Sequence, residues 1–161
     1  NIPARGVPVL DAFERGEVHG KRVVDLGAGT GLATQILVNK FENVVALDIS
    51  KEMIKNSVVL ETPQVCADGS RLPFASNSID VFLAMNMILF PNEIERCLKA
   101  EGFLVWVSSR GSDTPIYLSP EEVVDLMSTN SEFSWSGVSA YALEGSWLVA
   151  RRQLPASANC A

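Results

Sequence analysis

The stretch VVDLGAGTG, residues Val23–Gly31, decides how the rest of the chain is interpreted. It begins with an apolar run rich in β-branched residues, which is typical of a buried strand, and it ends with three glycines in five positions. The next segment, TGLATQILVNK, has apolar residues at helical spacing. A strand, a glycine turn and a helix in this order predict the first unit of a parallel α/β sheet.

Strands and helices alternate through most of the remaining sequence. After a short leading helix in VPVLDAFERG, strands are predicted in KRVVDLG, NVVALDIS, PQVCAD, IDVFLAM and FLVWVSS, and helices in KEMIKNSVVL, PNEIERCLKAEG and SPEEVVDLM. The segments FSWSGVSAYAL and SWLVARRQ, joined through Glu144 and Gly145, predict a closing antiparallel hairpin. The sequence therefore predicts one α/β domain over residues 1–153, followed by a frayed tail over residues 154–161.

The composition narrows the classes of function. The chain has 161 residues, of which 47% are hydrophobic and 20% are charged, as in an ordinary globular domain. A formal net charge of −6 disfavours nucleic-acid binding, which needs a basic surface. The sequence shows no apolar run of about 20 residues, as a membrane span requires, and no signal peptide. It does not begin with Met, which is consistent with a trimmed start.

Cysteine usage points to a reducing compartment. Cys66, Cys97 and Cys160 are odd in number and widely spaced, which is neither a metal-binding pattern nor a disulfide framework. We therefore expect a cytoplasmic protein without a metal site. Cys66 and Cys97 lie in apolar patterns and are expected to behave as small core residues.

The glycine turn lies where ligands bind in an open α/β sheet, at the carboxyl ends of the strands. Dinucleotide-binding enzymes use the spacing G-x-G-x-x-G there, whereas Gly27, Gly29 and Gly31 follow G-x-G-x-G. Asp25 precedes the first glycine, where a carboxylate would repel a pyrophosphate and attract an amino group. These features argue against a nicotinamide-dependent oxidoreductase. A turn that needs its glycines only for packing stays open as the simpler alternative.

Two further aspartates end predicted strands. Asp48 ends the second strand, where a carboxylate can accept hydrogen bonds from both hydroxyls of a ribose. Its alternative role, capping the next helix, is already filled by Ser50. Asp68 follows the third strand and precedes Gly69. Together with Asp25, these residues predict three carboxylates that converge on one crevice.

Four segments together resemble a known family. The stretch VVDLGAGTG resembles the first motif of class I S-adenosylmethionine-dependent methyltransferases of the ubiquinone/menaquinone-biosynthesis type, or type 11. VVALDIS, VCADGSRLPFASNSIDVFLAMN and EIERCLKAEGFLVWVSS resemble the motifs that follow, so the likeness extends over residues 21–109. The resemblance implies a Rossmann-like α/β sheet with strand order 3-2-1-4-5-7-6, an antiparallel strand 7 and helices on both faces. It also implies S-adenosylmethionine as cofactor and S-adenosylhomocysteine as product.

The resemblance implies a role for each motif residue. Asp25 would hold the methionine amino group, directly or through water, and Asp48 would hold the ribose hydroxyls. The turn residues that line the methionine and ribose part of the cofactor would be Gly27, Ala28, Gly29 and Gly31. The residues around the adenine would be Ile49, Met53, Asp68 and Gly69, with Asp68 accepting from its amino group. The residues near the sulfonium would be Met85 and Asn86.

The acceptor side is less well defined by the sequence. No convincing catalytic base is found: His19 precedes the first strand, opposite the crevice, and Arg110, Asp113 and Tyr117 follow strand five. The N-terminal extension and the insertion after strand five, which supply the family's acceptor lid, are both sparse. We therefore expect a methyltransferase for a small-molecule acceptor, including a large or carrier-bound one, with a partner chain as a candidate source of the lid. The alternative is a cofactor-binding protein that acts as a non-catalytic partner or regulatory subunit.

Overall fold

The predicted strands form one sheet in a computed structural model, which describes residues 2–129 and 131–153. The strands among these residues are β1 (Arg22–Leu26), β2 (Asn43–Asp48), β3 (Gln64–Cys66), β4 (Ile79–Met85), β5 (Leu98–Ser108), β6 (Trp135–Ala142) and β7 (Gly145–Arg152). Their order is β3-β2-β1-β4-β5-β7-β6, and β7 is antiparallel to both of its neighbours. This confirms the predicted topology. The predicted tail, residues 154–161, lies outside the described residues.

Helices cover both faces of the sheet, as predicted. They are α1 (Val7–Arg15), α2 (Leu32–Val38), α3 (Lys51–Lys55), α4 (Pro91–Cys97) and α5 (Pro120–Thr129), with 3-10 turns at Ala4–Gly6 and Gly111–Asp113. Side chains of α1 and α2, including Leu37, are buried in one core cluster with alternate strand residues. Side chains of α4 and α5, including Ile94, are buried in a second cluster with the other strand residues. Because both faces are covered, the central strands are almost continuously apolar.

The parallel strands β1 to β5 end at one side of the sheet, termed the carboxyl edge. Leu26 of β1 is in register with Leu47 of β2, and the amide of Gly27 donates to the Leu47 carbonyl at 2.8 Å. Met85 of β4 is in register with Val107 of β5. The loops that follow these strands therefore meet at this edge, where the sequence predicts the ligand site.

Helix α3 ends earlier than its sequence pattern predicts. The pattern extends through Leu60, but the helix ends at Lys55. The amide of Val58 donates to the Thr30 carbonyl at 2.9 Å, so this segment is bonded to the glycine turn instead of continuing the helix. The β-branched residues here also have a lower helix propensity than straight-chain residues, which favours the early end.

Helix α4 also ends early. Its pattern predicts a helix that continues to the glycine at position 102, but the chain becomes extended at Leu98, where β5 begins. The Arg152 guanidinium donates to the Leu98 carbonyl at 2.7 Å, and this long-range bond occupies a carbonyl in the extended segment. The side chains of Ile94, Cys97 and Leu98 are all buried, so this segment packs into the core on both sides of the helix end.

The prediction for Cys66 is wrong, whereas that for Cys97 is confirmed. Cys66 lies on β3, which is an edge strand of the sheet, and its side chain is exposed. Its thiol donates to the Ile49 carbonyl at 3.5 Å. Cys97 is buried in the core beside α4 and β5.

The closing hairpin is present, with its turn shifted by one residue. Ala142 pairs with Gly145, so the turn residues are Leu143 and Glu144, not Glu144 and Gly145. Leu143 adopts the positive φ of 52° that a tight two-residue hairpin turn requires. A leucine gives little sequence signal for such a turn, and this explains the shifted prediction.

Candidate functional site

The three glycines of the turn have different roles. All have positive φ: 67° at Gly27, 56° at Gly29 and 96° at Gly31. A Cβ at Gly27 would lie 3.0 Å from the Met87 sulfur, and one at Gly31 would lie 3.2 Å from the Ser57 hydroxyl. A Cβ at Gly29 would meet no atom within 4 Å. Packing therefore explains the absence of a side chain at Gly27 and Gly31, whereas Gly29 leaves open space beside the turn.

Asp48 ends β2 with its carboxylate turned toward the glycine turn. One oxygen accepts from the Gly29 amide and the other from the Ser50 amide, both at 2.8 Å. The carboxylate is only partly buried. A carboxylate has about four lone-pair positions, so two amide donors leave acceptor capacity for a ligand. Ser50 caps α3, as predicted, by accepting from the Met53 amide at 3.2 Å.

Asp25 lies beneath the turn and is almost completely buried, with 1% of its surface exposed. Its carboxyl oxygen accepts a hydrogen bond of 2.6 Å from the Thr34 hydroxyl, at the start of α2. The pKa of Asp25 is raised from 3.8 to about 7, chiefly by burial; the Thr34 bond opposes this shift, and the nearby charge of Asp48 adds to it. A cation arriving at this site would favour the charged form, which suits an amino group.

A cleft of about 280 Å³ opens at the carboxyl edge and is termed the strand-end cleft. The residues that were predicted as ligand contacts and line it are Gly27, Asp48, Ile49, Asp68, Gly69 and Asn86. The lining residues that the sequence analysis missed are Leu47, Ala67, Met87, Ile88, Phe90 and Ile116. The short apolar run after Asn86 is a signal that could have found three of them. Ile116 has no comparable signal, because it is distant in sequence from every motif.

The other predicted residues lie around this cleft without lining it: Asp25, Ala28, Gly29, Gly31, Met53 and Met85. Asp25 is buried below the turn, and Met53 is exposed on α3. The side chain of Met85 packs against the core cluster under α1 and α2. The structure therefore places Asp48 and Asp68 at the cleft, whereas Asp25 is buried below the turn and Met85 is directed away from the cleft.

The far wall of the cleft carries Asp68 and Gly69. Asp68 is exposed, and its carboxylate accepts from the Ser70 amide at 2.8 Å. This hydrogen bond holds the pKa of Asp68 below its ordinary value, so the side chain is a charged acceptor near neutral pH. A Cβ at Gly69 would lie 2.8 Å from the Phe90 ring, so this glycine allows the ring to form an apolar wall.

Asn86 joins the loops that follow β4 and β5. Its amide nitrogen donates to the Ser109 hydroxyl at 2.8 Å, and its amide oxygen accepts from the Ser109 backbone amide at 2.9 Å. Asn86 itself has a φ of 54°, a conformation that asparagine tolerates better than most residues. The reciprocal bonds hold the two loops together beside the strand-end cleft.

The candidates for acid–base chemistry lie elsewhere. His19 is exposed, and its ring packs edge-on against Phe103 with centroids 5.0 Å apart, in a hollow outside the carboxyl edge. Burial raises the pKa of the Tyr117 phenol, and neighbouring Ser146 opposes this shift. Within residues 2–129 and 131–153, no group of three or more His, Cys, Asp or Glu side chains is arranged to hold a metal ion. No helix in the described part of the chain is long and apolar enough to cross a membrane.

Comparisons with known sequences agree with this geometry. A family model described as a methyltransferase domain matches residues 24–106, slightly more than half of the chain. The chain is 43% identical over 61 residues to demethylmenaquinone methyltransferase of Corynebacterium urealyticum. This alignment covers 38% of this chain and 26% of that relative. It is 32% identical over 126 residues to malonyl-[acyl-carrier protein] O-methyltransferase of Methylovorus sp.. This alignment covers 66% of this chain and 42% of that relative. The chain thus spans less than half the length of both relatives.

A solved methyltransferase structure has the same fold as this chain. The crystal structure of a SAM-dependent methyltransferase from Aquifex aeolicus superposes with a TM-score of 0.71 at 20% identity. The match covers 91% of this chain and 90% of that one. At this identity the likeness is evidence for the shared fold alone.

Proposed function

Because the chain belongs to the class I S-adenosylmethionine-dependent methyltransferases, whose cofactor is S-adenosylmethionine, we propose that it transfers a methyl group from this cofactor to a small-molecule acceptor. The observation that carries the proposal is the open space at Gly29, since no atom lies within 4 Å of a Cβ built there. A glycine with positive φ that is not required by internal packing keeps room for a ligand close to the backbone. Packing accounts for Gly27 and Gly31, whereas at Gly29 the positive φ of 56° favours glycine and the surrounding space stays free for a ligand.

The carboxylates fit the amino-acid and ribose parts of the cofactor. Asp48 would accept from the ribose hydroxyls with the lone pairs that the Gly29 and Ser50 amides leave free. Asp25 would attract the methionine ammonium group, through water or after a small movement of the turn, because it is buried in this structure. The ammonium charge would lower the pKa of Asp25 and hold its carboxyl in the ionised form.

The apolar part of the cleft fits the adenine. Ile49, Met87 and Phe90 line it with apolar surface, and the Phe90 ring is flat like the base. Asp68 would accept a hydrogen bond from the exocyclic amine at the exposed side. Met53, exposed on α3, would cover the outer face of the base after a change of side-chain rotamer.

The bound cofactor supplies a methyl group on a positively charged sulfur, which is a good leaving group in an in-line displacement. The chain supplies orientation: the paired side chains of Asn86 and Ser109 fix the loops at the point where donor and acceptor meet. The ionisable side chains among the described residues that line the strand-end cleft are Asp48 and Asp68, and both are assigned to cofactor binding. An acceptor that is nucleophilic without a protein base therefore fits best.

The acceptor of this protein is proposed to be small or to be attached to a carrier. The relative from Methylovorus acts on malonyl-[acyl-carrier protein], as its name states, which supports a carrier-bound acceptor here. The carboxyl edge is also open beside the cleft, so a long carrier arm could enter. A partner chain as the source of a lid and a cytoplasmic location stay predictions from the sequence.

Calorimetric titration and labelled-methyl turnover test this proposal together. We expect the chain to bind S-adenosylhomocysteine with one site, and to transfer labelled methyl groups from S-adenosylmethionine to a member of an acceptor library. Arg22→Gln, at the amino end of β1 and opposite the cleft, is a control that should bind like the wild type. No heat at high micromolar protein would refute cofactor binding. Binding without transfer to any acceptor would instead support the non-catalytic alternative.

A further inference from the structure

A second cavity, of about 390 Å³, adjoins the strand-end cleft at the carboxyl edge. Its lining includes Arg5, Asn86, Ser109, Arg110, Thr114 and Ile116, and it is termed the arginine cavity. Asn86 and Ile116 line both the strand-end cleft and the arginine cavity. A molecule in the arginine cavity would therefore lie directly beside a molecule in the cleft.

Two guanidinium groups give this cavity its charge. Arg5 lies in the 3-10 turn before α1, and Arg110 follows the end of β5. Among the described residues, neither of them forms an ion pair with a carboxylate. Arg110 donates to the Asp113 carbonyl at 3.2 Å, which uses only part of its five-donor fork. Both guanidinium groups therefore keep donors for a ligand.

The local charge of the arginine cavity is opposite in sign to the net charge of the protein. The chain carries a formal net charge of −6, so two arginines without acidic partners in one cavity form a local cationic site on an acidic molecule. The same two arginines line an adjoining hollow together with Glu144. Glu144 does not line the arginine cavity itself, so an anion would be favoured in that cavity, next to the cleft.

The loop that carries Arg110 is held by specific hydrogen bonds. The Arg110 amide donates to the Thr114 hydroxyl at 3.2 Å, and the preceding residue, Ser109, is bonded twice to Asn86. Thr114 is buried, which fixes this loop against the protein. Arg110 is thus presented from an ordered turn, which reduces the entropy that binding would cost.

We propose that the methyl acceptor carries a carboxylate or phosphate group that Arg5 and Arg110 bind in the arginine cavity. This inference rests on the proposed function, because it makes the cavity the acceptor side of the methyltransferase site. Arginine suits this role, since its planar fork donates two parallel hydrogen bonds to a carboxylate or phosphate. The nucleophilic atom of the acceptor would then lie at the Asn86–Ile116 boundary, where the two sites meet.

Calorimetric titration with matched pairs of probes tests this inference on the full chain saturated with S-adenosylhomocysteine. The first pair is malonate and its neutral analogue malonamide, and the second is phosphopantetheine and neutral pantetheine. We expect an anionic probe to bind and its neutral counterpart to bind much more weakly, with an affinity that falls as salt is added. Malonate binding would indicate recognition of a carboxylate, and phosphopantetheine binding would indicate recognition of a phosphate.

Single substitutions then locate the binding site. Arg5→Gln and Arg110→Gln should each weaken binding of the anionic probe about ten-fold or more, because each removes a charged donor. Arg110→Lys should give an intermediate loss, since it keeps the charge but not the fork. Arg22→Gln, an exposed arginine at the opposite side of the sheet, should bind the probe like the wild type. Thermal unfolding of each variant checks that it is folded.

Three results would overturn the inference: no binding of either anionic probe, equal binding of anionic and neutral probes, or unchanged binding by both arginine variants. Titration with S-adenosylhomocysteine alone separates this test from that of the proposed function. If that compound does not bind, the proposed function fails, and the anionic probes are titrated against the unliganded chain. If it binds and the anions do not, the inference alone fails.

Discussion

The strand-end cleft and the arginine cavity lie side by side, but their walls come from different parts of the sequence. Predicted residues of the cleft, such as Asp48 and Asp68, lie at or just after the end of a strand that the sequence pattern already locates. Arg5 and Arg110 are more than 100 residues apart in the sequence, since one precedes α1 and the other follows β5. Local motifs therefore specify much of the strand-end cleft, whereas only folding brings the two arginines of the arginine cavity together.

The boundary between these sites carries backbone strain. Asn86 and Ile116 border both sites, and both have positive φ, 54° and 56°. For asparagine this conformation is tolerated, but for a β-branched isoleucine it is a genuine outlier. Such residues cost about 1–3 kcal/mol each and persist where the surroundings hold them in place. Substitutions in the strand-end cleft, in the arginine cavity and at this boundary can therefore be compared with one another.

The largest effect is expected from Gly29→Val, which should abolish cofactor binding and leave the arginine cavity intact. The new side chain would project into the open space beside the turn, at a φ of 56°. Calorimetric titration should show no S-adenosylhomocysteine binding, while malonate or phosphopantetheine still binds. Glu17→Val places the same side chain at a φ of 52° away from both sites and should leave S-adenosylhomocysteine binding unchanged, so it is the control for a valine at positive φ. Undiminished cofactor binding by Gly29→Val would contradict the assignment.

A pH-dependent effect is expected from Asp25→Asn. The pKa of Asp25 is raised in the folded state to about 7, so folding favours the protonated carboxyl. Its contribution to stability is complete below about pH 4 and is lost as the pH rises through 7. Asparagine stays neutral and can still accept the hydrogen bond from Thr34. The variant should therefore gain stability over the wild type as the pH rises, approaching roughly 4 kcal/mol at pH 8.

Denaturant unfolding of both proteins at several pH values between 4 and 8 measures this difference. Taking the difference removes the contributions of the other carboxylates, which are present in both proteins. Thr34→Val is the companion variant, because it removes the hydrogen bond of 2.6 Å and keeps the carboxyl group. Parallel stability curves for wild type and Asp25→Asn would show that Asp25 ionises normally.

A smaller effect is expected from Asp48→Ala, which should weaken S-adenosylhomocysteine binding by about ten- to a hundred-fold. The substitution removes a charged acceptor for the ribose hydroxyls and also releases the Gly29 amide. Ser50→Ala is the matched control, because it removes the cap of α3 while the Asp48 carboxylate remains. Unchanged affinity of Asp48→Ala would show that Asp48 does not bind the ribose.

The smallest effect is expected from Ile116→Asn, which should stabilise the protein by about 1 kcal/mol. Asparagine adopts positive φ more readily, and Ile116 is 58% exposed, so little buried apolar surface is lost. Glu17→Asn, at a similar φ, should give a comparable gain without altering either site. Thermal or denaturant unfolding measures both variants. A loss of stability in Ile116→Asn would mean that its side-chain contacts outweigh the strain.

The sequence located the glycine turn and the strand-end aspartates in the fold because their signals are local. Asp25 directly precedes the glycine turn, Asp48 and Asp68 each lie at or just after the end of a strand, and the carboxyl ends of parallel strands must meet at one edge. The prediction of strand order 3-2-1-4-5-7-6 rested on the family resemblance and is confirmed. The prediction failed where competing long-range bonds decide the structure, as at Leu98, whose carbonyl accepts from Arg152.

Other properties could not be read from the sequence. The burial of Asp25 depends on α2 packing over β1, and the raised pKa follows from that burial. The direction of Met85, whose side chain packs under α1 and α2, depends on the alternation of β4 in the finished sheet. The distinct role of Gly29 depends on what surrounds each glycine, which the spacing of the motif does not record.

The strands, the glycine turn and the carboxylates at the strand ends could all be located from the amino-acid sequence, because helical and strand periodicity and turn chemistry act over a few neighbouring residues. The open space at Gly29 and the joint lining of one cavity by Arg5 and Arg110 emerge only in the folded chain. These features require segments distant in the chain to be packed together. Their positions are set by burial of the two cores, and no local pattern encodes that packing.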